Sequence, residues 1–279
     1  MSTTFESRYA SSPKAVKNYD TKQLRDEFLI DDLMQSGKIK FVYTHYDRYI
    51  VGGAVPETDL KLETIDPLKA DYFLERRELG IINAGADGSI IVDGETFKIN
   101  HKDALYIGRG VKEVIFKSDD ASNPAKFYMN SAPAHKSFPT KKTSLEEANK
   151  IDLGSLETAN HRTVCQMIIG GIITTCQLQM GMTQLKPGSV WNTMPAHVHD
   201  RRMEIYFYID VPENQAVCHF MGQPQETRHI WMNNHQAVIS PPWSIHSGAG
   251  TSNYTFIWGM AGENLDYNDM DVAKITDLR

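Results

Sequence analysis

Polar and apolar residues alternate in short runs along most of the chain. "KIKFVYTHYDRYIVGG" (38–53), "GSIIVDGETFKIN" (88–100) and "NYTFIWGMAG" (253–262) follow the two-residue period of strands with one face buried. Turn formers punctuate these runs at Asp87-Gly88, Asp93-Gly94, Pro187-Gly188 and Asn233-Asn234. Helical period is sparse. "DTKQLRDEFLIDDLM" (20–34) predicts one N-terminal helix, capped by Asp20 or Thr21, with Leu24, Phe28 and Leu29 on one face. "TSLEEANK" carries Ser144 three residues before Glu147, the capping-box pattern of a second, short helix. Many short strands at regular spacing predict an all-β protein, a barrel or sandwich with a few short helices.

The strand pattern occurs twice. A stretch from Glu75, "ERRELGIINAG…DALYIGRGVKE", and one from Asp200, "DRRMEIYFYI…QAVISPPWSIH", both open on an acidic residue and two arginines. A glutamate follows in each, Glu78 and Glu204, and both run through further strands to a glycine- or proline-rich corner that ends on Glu113 or His246. The repeat predicts two barrel halves, at residues 40–130 and 161–279, joined by a polar linker at 131–160. Residues 1–39 form a helical or extended arm before them.

"PAHVHDRRMEIYFY" (195–208) breaks the bland strand pattern. Side chains at i and i+2 share one face of a strand, so His197 and His199 aim at one point. Glu204 lies five residues after His199, on the wrong face of a straight strand. "HDRR" must therefore turn, and "MEIYFYI" returns Glu204 beside the histidines. His246, between a Pro-Pro pair and Gly248, is the candidate fourth ligand. Three imidazoles and a carboxylate suit Zn, Fe, Mn, Ni or Co and leave positions open for substrate, which favours catalysis over a structural staple. The first half has no HxH before Glu78, so it is expected to hold no metal. By strand parity, Arg202 and Tyr206 face the same way as Glu204; they are the candidate substrate-binding residues, Arg202 for a carboxylate and Tyr206 for a sugar oxygen. Trp258 and Tyr254 are expected in the core. The catalytic base stays unassigned.

Charge and cysteine usage narrow the setting. The formal net charge is −6, with no basic face for nucleic acid or an anionic membrane. Three cysteines, Cys165, Cys176 and Cys218, with no CxxC, predict a reduced, cytoplasmic protein without a disulfide framework. The N-terminus shows no apolar signal segment, and no apolar run approaches the length of a membrane span.

The motifs G-x8-HxH-x4-E from Gly188 and PxWxxH at Pro241–His246 resemble the two signatures of the cupin superfamily, with Trp243 where that pattern has glycine and a longer gap from Gly188 to His197. Within it, "YFLERRELGIINAG", "PAKFYMNSAPAH", "WNTMPAHVHDRRMEIYFY", "MGQPQETRHIWM", "SIHSGAGTSNYTFIWGMAGEN" and "DMDVAKITDLR" resemble the 5-keto-4-deoxyuronate isomerases over essentially the whole chain. That resemblance implies a duplicated cupin, one zinc per chain held by His197, His199, Glu204 and His246, and a homohexamer. It also implies an aldose–ketose isomerisation of 5-dehydro-4-deoxy-D-glucuronate to 3-deoxy-D-glycero-2,5-hexodiulosonate in pectin and uronate breakdown. Two alternatives use the same residues. An iron dioxygenase would consume oxygen, and a non-catalytic sugar-acid-binding protein would bind the uronate without changing its spectrum.

Overall fold

The computed structural model describes residues 2–263 and 267–279. Its secondary structure is dominated by strands, as the alternating pattern predicts. Two compact units emerge. One holds the residues up to Arg8, Asp32–Ala148 and Met167–Met180; the other holds Tyr9–Asp31, Asn149–Gln166 and the chain from Gly181 on. Each unit thus recruits segments from outside the consecutive spans 40–130 and 161–279.

The first unit contains a large sheet in the order Thr3–Arg8, Ile39–Thr44, Ile50–Ala54, Phe127–Pro133, Arg77–Asn83, Ala104–Ile107 and Lys141–Thr143. A four-stranded sheet, Leu60–Lys61, Val114–Ser118, Gly88–Val92 and Glu95–Ile99, accompanies it. One apolar cluster joins the two: Phe41, Leu79, Ile81 and Leu105 from the large sheet pack with Ile90, Ile99 and Phe116 from the small one. Each such side chain contributes roughly 1.5–3 kcal/mol when fully buried. The predicted Asp93-Gly94 turn closes the small sheet's hairpin, with both residues at positive φ (44° and 89°), the geometry that favours Asp-Gly.

The large sheet of the second unit runs Asn149–Leu153, Arg162–Ile168, Gln179–Leu185, Thr255–Gly262, Arg202–Ile209, Gln236–Ser240 and Leu29–Ile30. Its small sheet runs Trp191–Asn192, Ser247–Gly250, Val217–Gln223 and Glu226–Met232. The central strand order repeats that of the first unit, so the predicted duplication is present in the topology.

Register corrects the pairing of the repeats by one residue. Leu79 sits opposite Ile107, and Glu204 sits opposite Ser240; each pair closes the equivalent strands of its unit. Leu79, not Glu78, therefore occupies the position of Glu204. Tyr72 and Leu74 stand at the offsets of His197 and His199 from it. Glu78 points to the other face, fully buried. Its Oε2 accepts from the Tyr106 hydroxyl and the Cys176 amide, both at 2.8 Å, and its Oε1 from the amides of Gln177 (2.8 Å) and Leu178 (2.9 Å). The carboxylate pins the 176–178 segment. Glu113, the counterpart of His246 in the repeat, pairs at the surface with Lys61 at 2.7 Å.

Helical expectations hold in part. Thr21–Phe28 is helical, with Asp20 as N-cap in a reciprocal capping box with Gln23. It stops at Phe28 because Leu29–Ile30 joins the sheet edge beside Val238 and Ala237. In "TSLEEANK" the Ser144 and Glu147 bonds form, yet they close only a turn between Lys141–Thr143 and Asn149–Leu153. The neighbouring strands leave no room to propagate a helix from a costly nucleus. A short helix at Pro13–Val16, capped by Ser12, adds to the predicted set.

Replacing Glu78 by alanine leaves the amides of Cys176, Gln177 and Leu178, two of them buried, and the buried Tyr106 phenol without this acceptor. Urea unfolding of Glu78→Ala is expected to show a loss of about 3–5 kcal/mol, with the 197–246 cluster's metal content unchanged. A loss below 1 kcal/mol would show that the clamp is not structural.

Candidate metal centre

The predicted turn forms at Asp200–Arg201, between the short strand His197–Val198 and the strand Arg202–Ile209. Asp271–Val272 pairs with His197–Val198 and holds it in place. The strand Arg202–Ile209 lies between Thr255–Gly262 and Gln236–Ser240, so Glu204 is fixed from both sides. After Ser240, the Pro241–Pro242 corner brings His246 round; the Ser244 amide closes it onto the Pro241 carbonyl at 2.9 Å.

All four predicted ligands meet. One donor atom from each of His197, His199, Glu204 and His246 lies within 4.8 Å of every other. His246 Nε2 is 2.9 Å from His197 Nε2 and 3.0 Å from Glu204 Oε2, and His199 Nε2 is 3.3 Å from Glu204 Oε2. His199, Glu204 and His246 are buried. The His199 Nε2 and Glu204 Oε2 atoms are buried with no hydrogen-bond partner. His199 Nδ1 donates to the Asp269 carbonyl at 3.0 Å, which leaves its Nε2 bare and turned to the common point.

Electrostatics sharpen the picture. Burial, with His246 and His199 nearby, lowers the His197 imidazole to about 2, so it is neutral. Burial alone would raise Glu204, but the His246 and His199 imidazoles beside it outweigh burial and hold the carboxyl well below its ordinary value. Three imidazole nitrogens and an ionised carboxylate crowd one buried point, where His199 Nε2 and Glu204 Oε2 find no hydrogen-bond partner among the described residues. This donor set fits one divalent cation.

Asp269 was not anticipated. Its Oδ2 accepts from Arg201 Nη2 at 2.7 Å, its Oδ1 pairs with Arg202 Nη2 at 2.9 Å, and its carbonyl orients His199. It lies 65 residues beyond Glu204 with no spacing motif to mark it. Arg202, 1% exposed, also donates to the Tyr267 carbonyl at 3.0 Å. The Tyr206 hydroxyl shares a 2.7 Å hydrogen bond with Thr193, and its ring centroid is 5.4 Å from that of His246. Trp258 and Tyr254 are buried, as expected of core residues.

His219 lies behind Tyr206, fully buried, with Nδ1 2.8 Å from the Tyr208 hydroxyl. Burial lowers its imidazole to about 3. The unfolded chain, near 6.5, therefore binds a proton that the folded chain refuses, so the stability that this residue contributes is full above pH 6.5 and declines as pH falls toward 3. Between pH 7.5 and 5 the decline is expected to reach about 2 kcal/mol. Chemical unfolding of wild type and His219→Asn at both values checks this; equal pH sensitivity in the two proteins would refute it.

Comparison with known proteins agrees with this geometry. Residues 28–275 match the model of the KduI/IolB family. A Formosa agariphila protein named 4-deoxy-L-threo-5-hexosulose-uronate ketol-isomerase is 76% identical over 280 residues, covering all of both chains. A protein of the same name from Lachnoclostridium phytofermentans is 60% identical, over 98% of this chain and all of its own. Among solved structures, an IolB-like protein from Salmonella typhimurium superposes with TM-score 0.71 at 14% identity, covering 88% of this chain and 96% of that one. Bacillus subtilis oxalate decarboxylase, whose structure is described by its Mn(II) centres, gives 0.55 at 9% identity, covering 80% and 71%. These last two likenesses establish the duplicated cupin fold alone. With the family model spanning nearly the whole length, the chain belongs to the KduI/IolB family.

Proposed function

We propose that this chain is a metal-dependent ketol-isomerase that converts 5-dehydro-4-deoxy-D-glucuronate to 3-deoxy-D-glycero-2,5-hexodiulosonate in uronate catabolism. The observation that carries the reading is the 76% identity, over the full length of both chains, to a protein named 4-deoxy-L-threo-5-hexosulose-uronate ketol-isomerase. The convergence of His197, His199, Glu204 and His246 supports the metal dependence, with zinc as the ion. In this reading the enzyme works in the cytoplasm as a homohexamer, as the family resemblance implies. Among the described residues no helix is long and apolar enough to cross a membrane.

The reaction moves hydrogen from C2 to C1 and shifts the carbonyl between neighbouring carbons. His197, His199, Glu204 and His246 would hold a divalent ion that, when bound, would supply Lewis acidity worth roughly several kcal/mol of charge stabilisation. The chain's own residues set the stage. Glu204 stays ionised and His197 neutral, the protonation states that ligation needs. The Asp269 carbonyl keeps the proton of His199 on Nδ1 and its Nε2 free. Tyr206, beside His246, offers its hydroxyl to a sugar oxygen in exchange for Thr193. Arg202 takes the uronate carboxylate as a planar fork, with Asp269 yielding one of its contacts. Burial of the cluster keeps bulk water from the reacting carbons.

His199→Ala is expected to lose bound metal, read by elemental analysis, and isomerase turnover together, while circular dichroism stays native; unchanged metal content would remove His199 from the ligand set. Arg202→Lys keeps the charge but not the fork. It is expected to raise KM for the uronate about tenfold or more, with a smaller change in kcat, in steady-state assays; an unaltered KM would take Arg202 out of the substrate site.

A further inference from the structure

The repeated arginine pair meets opposite fates in the two halves. Asp269 neutralises Arg201 and Arg202. At the matching positions of the first half, Arg76 and Arg77 form no ion pair with a carboxylate among the described residues. Arg77 is 5% exposed; its Nε donates to Ser131 Oγ at 3.0 Å, and its Nη2 to the carbonyls of Ser131 (2.8 Å) and Arg48 (2.7 Å). These acceptors are neutral, and Nη1 has no partner among the described residues. Burial lowers the Arg77 guanidinium only to about 10, so it is charged at neutral pH. Arg76 Nη2 donates to the carbonyls of Leu68 and Lys69. The Arg48 guanidinium has no hydrogen bond or ion pair among the described residues.

These three arginines line one cavity of about 210 Å³ with Tyr43, Phe73 and Pro133, and no carboxylate lines it. Nearby acids are already engaged: Glu78 by four donors, Glu75 by the Asp71 amide at 2.8 Å, and Asp66 by Lys69 at 2.5 Å. Arg77 shares its face with Leu79, the counterpart of Glu204, so the cavity lies at the mouth of the first barrel. Arg48 and Arg76 are exposed, whereas the buried Arg77 hydrogen-bonds only to neutral acceptors, so an anion seated in the hollow gains most from the Arg77 charge.

We propose that this mouth is a second binding site, built from the N-terminal half alone, for a small organic carboxylate. Guanidinium forks match the planar carboxylate, and the free Arg77 Nη1 and Arg48 supply unspent donors. The walls formed by Phe73, Pro133 and Leu68 favour an ion with a carbon skeleton over a hydrated inorganic one.

Calorimetric titration of full-length protein with D-galacturonate, uncharged D-galactose and inorganic phosphate tests the site. His199→Ala serves as background, so the reading is independent of the metal centre and of the proposed isomerase. Arg48, at φ 50°, is exchanged for asparagine, which tolerates that backbone. His199→Ala is expected to bind one galacturonate per chain, more weakly as salt rises, and not galactose. The double variant His199→Ala/Arg48→Asn is expected to bind it at least tenfold more weakly. Absence of galacturonate binding in His199→Ala, equal affinity in the double variant, or tighter binding of phosphate or galactose would overturn the proposal.

Discussion

Three imidazole nitrogens and a carboxylate oxygen are held closer together than such proton-poor atoms settle on their own, and the rest of the second half exists to keep them there. Left to themselves, the side chains would turn outward to water or take up protons. Two flanking strands fix Glu204, the paired Asp271–Val272 strand fixes His197, and the proline corner fixes His246. Asp269 completes the arrangement by occupying the one proton of His199 that would otherwise spoil it and by anchoring both arginines of the turn. Burial then does two jobs at once. It keeps His197 neutral, and it raises the electrostatic reward for any cation that relieves the crowding.

The first half shows what the same topology becomes without that constraint. A leucine stands where Glu204 stands, and the barrel interior fills with Phe41, Ile81, Ile90 and Phe116. The glutamate that survives nearby has turned to the other face and become a clamp on backbone amides. The arginine pair keeps its place at the mouth, and among the described residues it forms no ion pair like the one Asp269 gives its counterpart. At the counterpart positions that half packs apolar side chains and retains a charged rim.

Much of this was legible in the sequence, for local reasons. The two-residue period of a strand and a polar turn suffice to bring His197, His199 and Glu204 together, and Pro-Pro and Gly248 mark the corner that delivers His246. The Asp-Gly turn and the Asp20 cap are equally short-range. What escaped notice is long-range. Nothing near Asp269 announces that it folds back onto Arg201, in a turn 68 residues earlier. Nothing in Leu29–Ile30 announces a pairing with a strand more than 200 residues away. The "TSLEEANK" signal was locally sound and was overruled by the strands on either side. Matching the repeats by residue type aligned Glu78 with Glu204, whereas hydrogen-bond register, which types alone do not reveal, aligns Leu79 with it.

X-ray absorption at the zinc edge of the metal-loaded, full-length protein measures the central claim most directly. One ion per chain with nitrogen and oxygen neighbours only, at about 2.0–2.2 Å, and outer-shell scattering from three imidazole rings is the expected spectrum. Sulfur among the neighbours, or scattering from fewer than two rings, would mean that the four side chains do not share a cation.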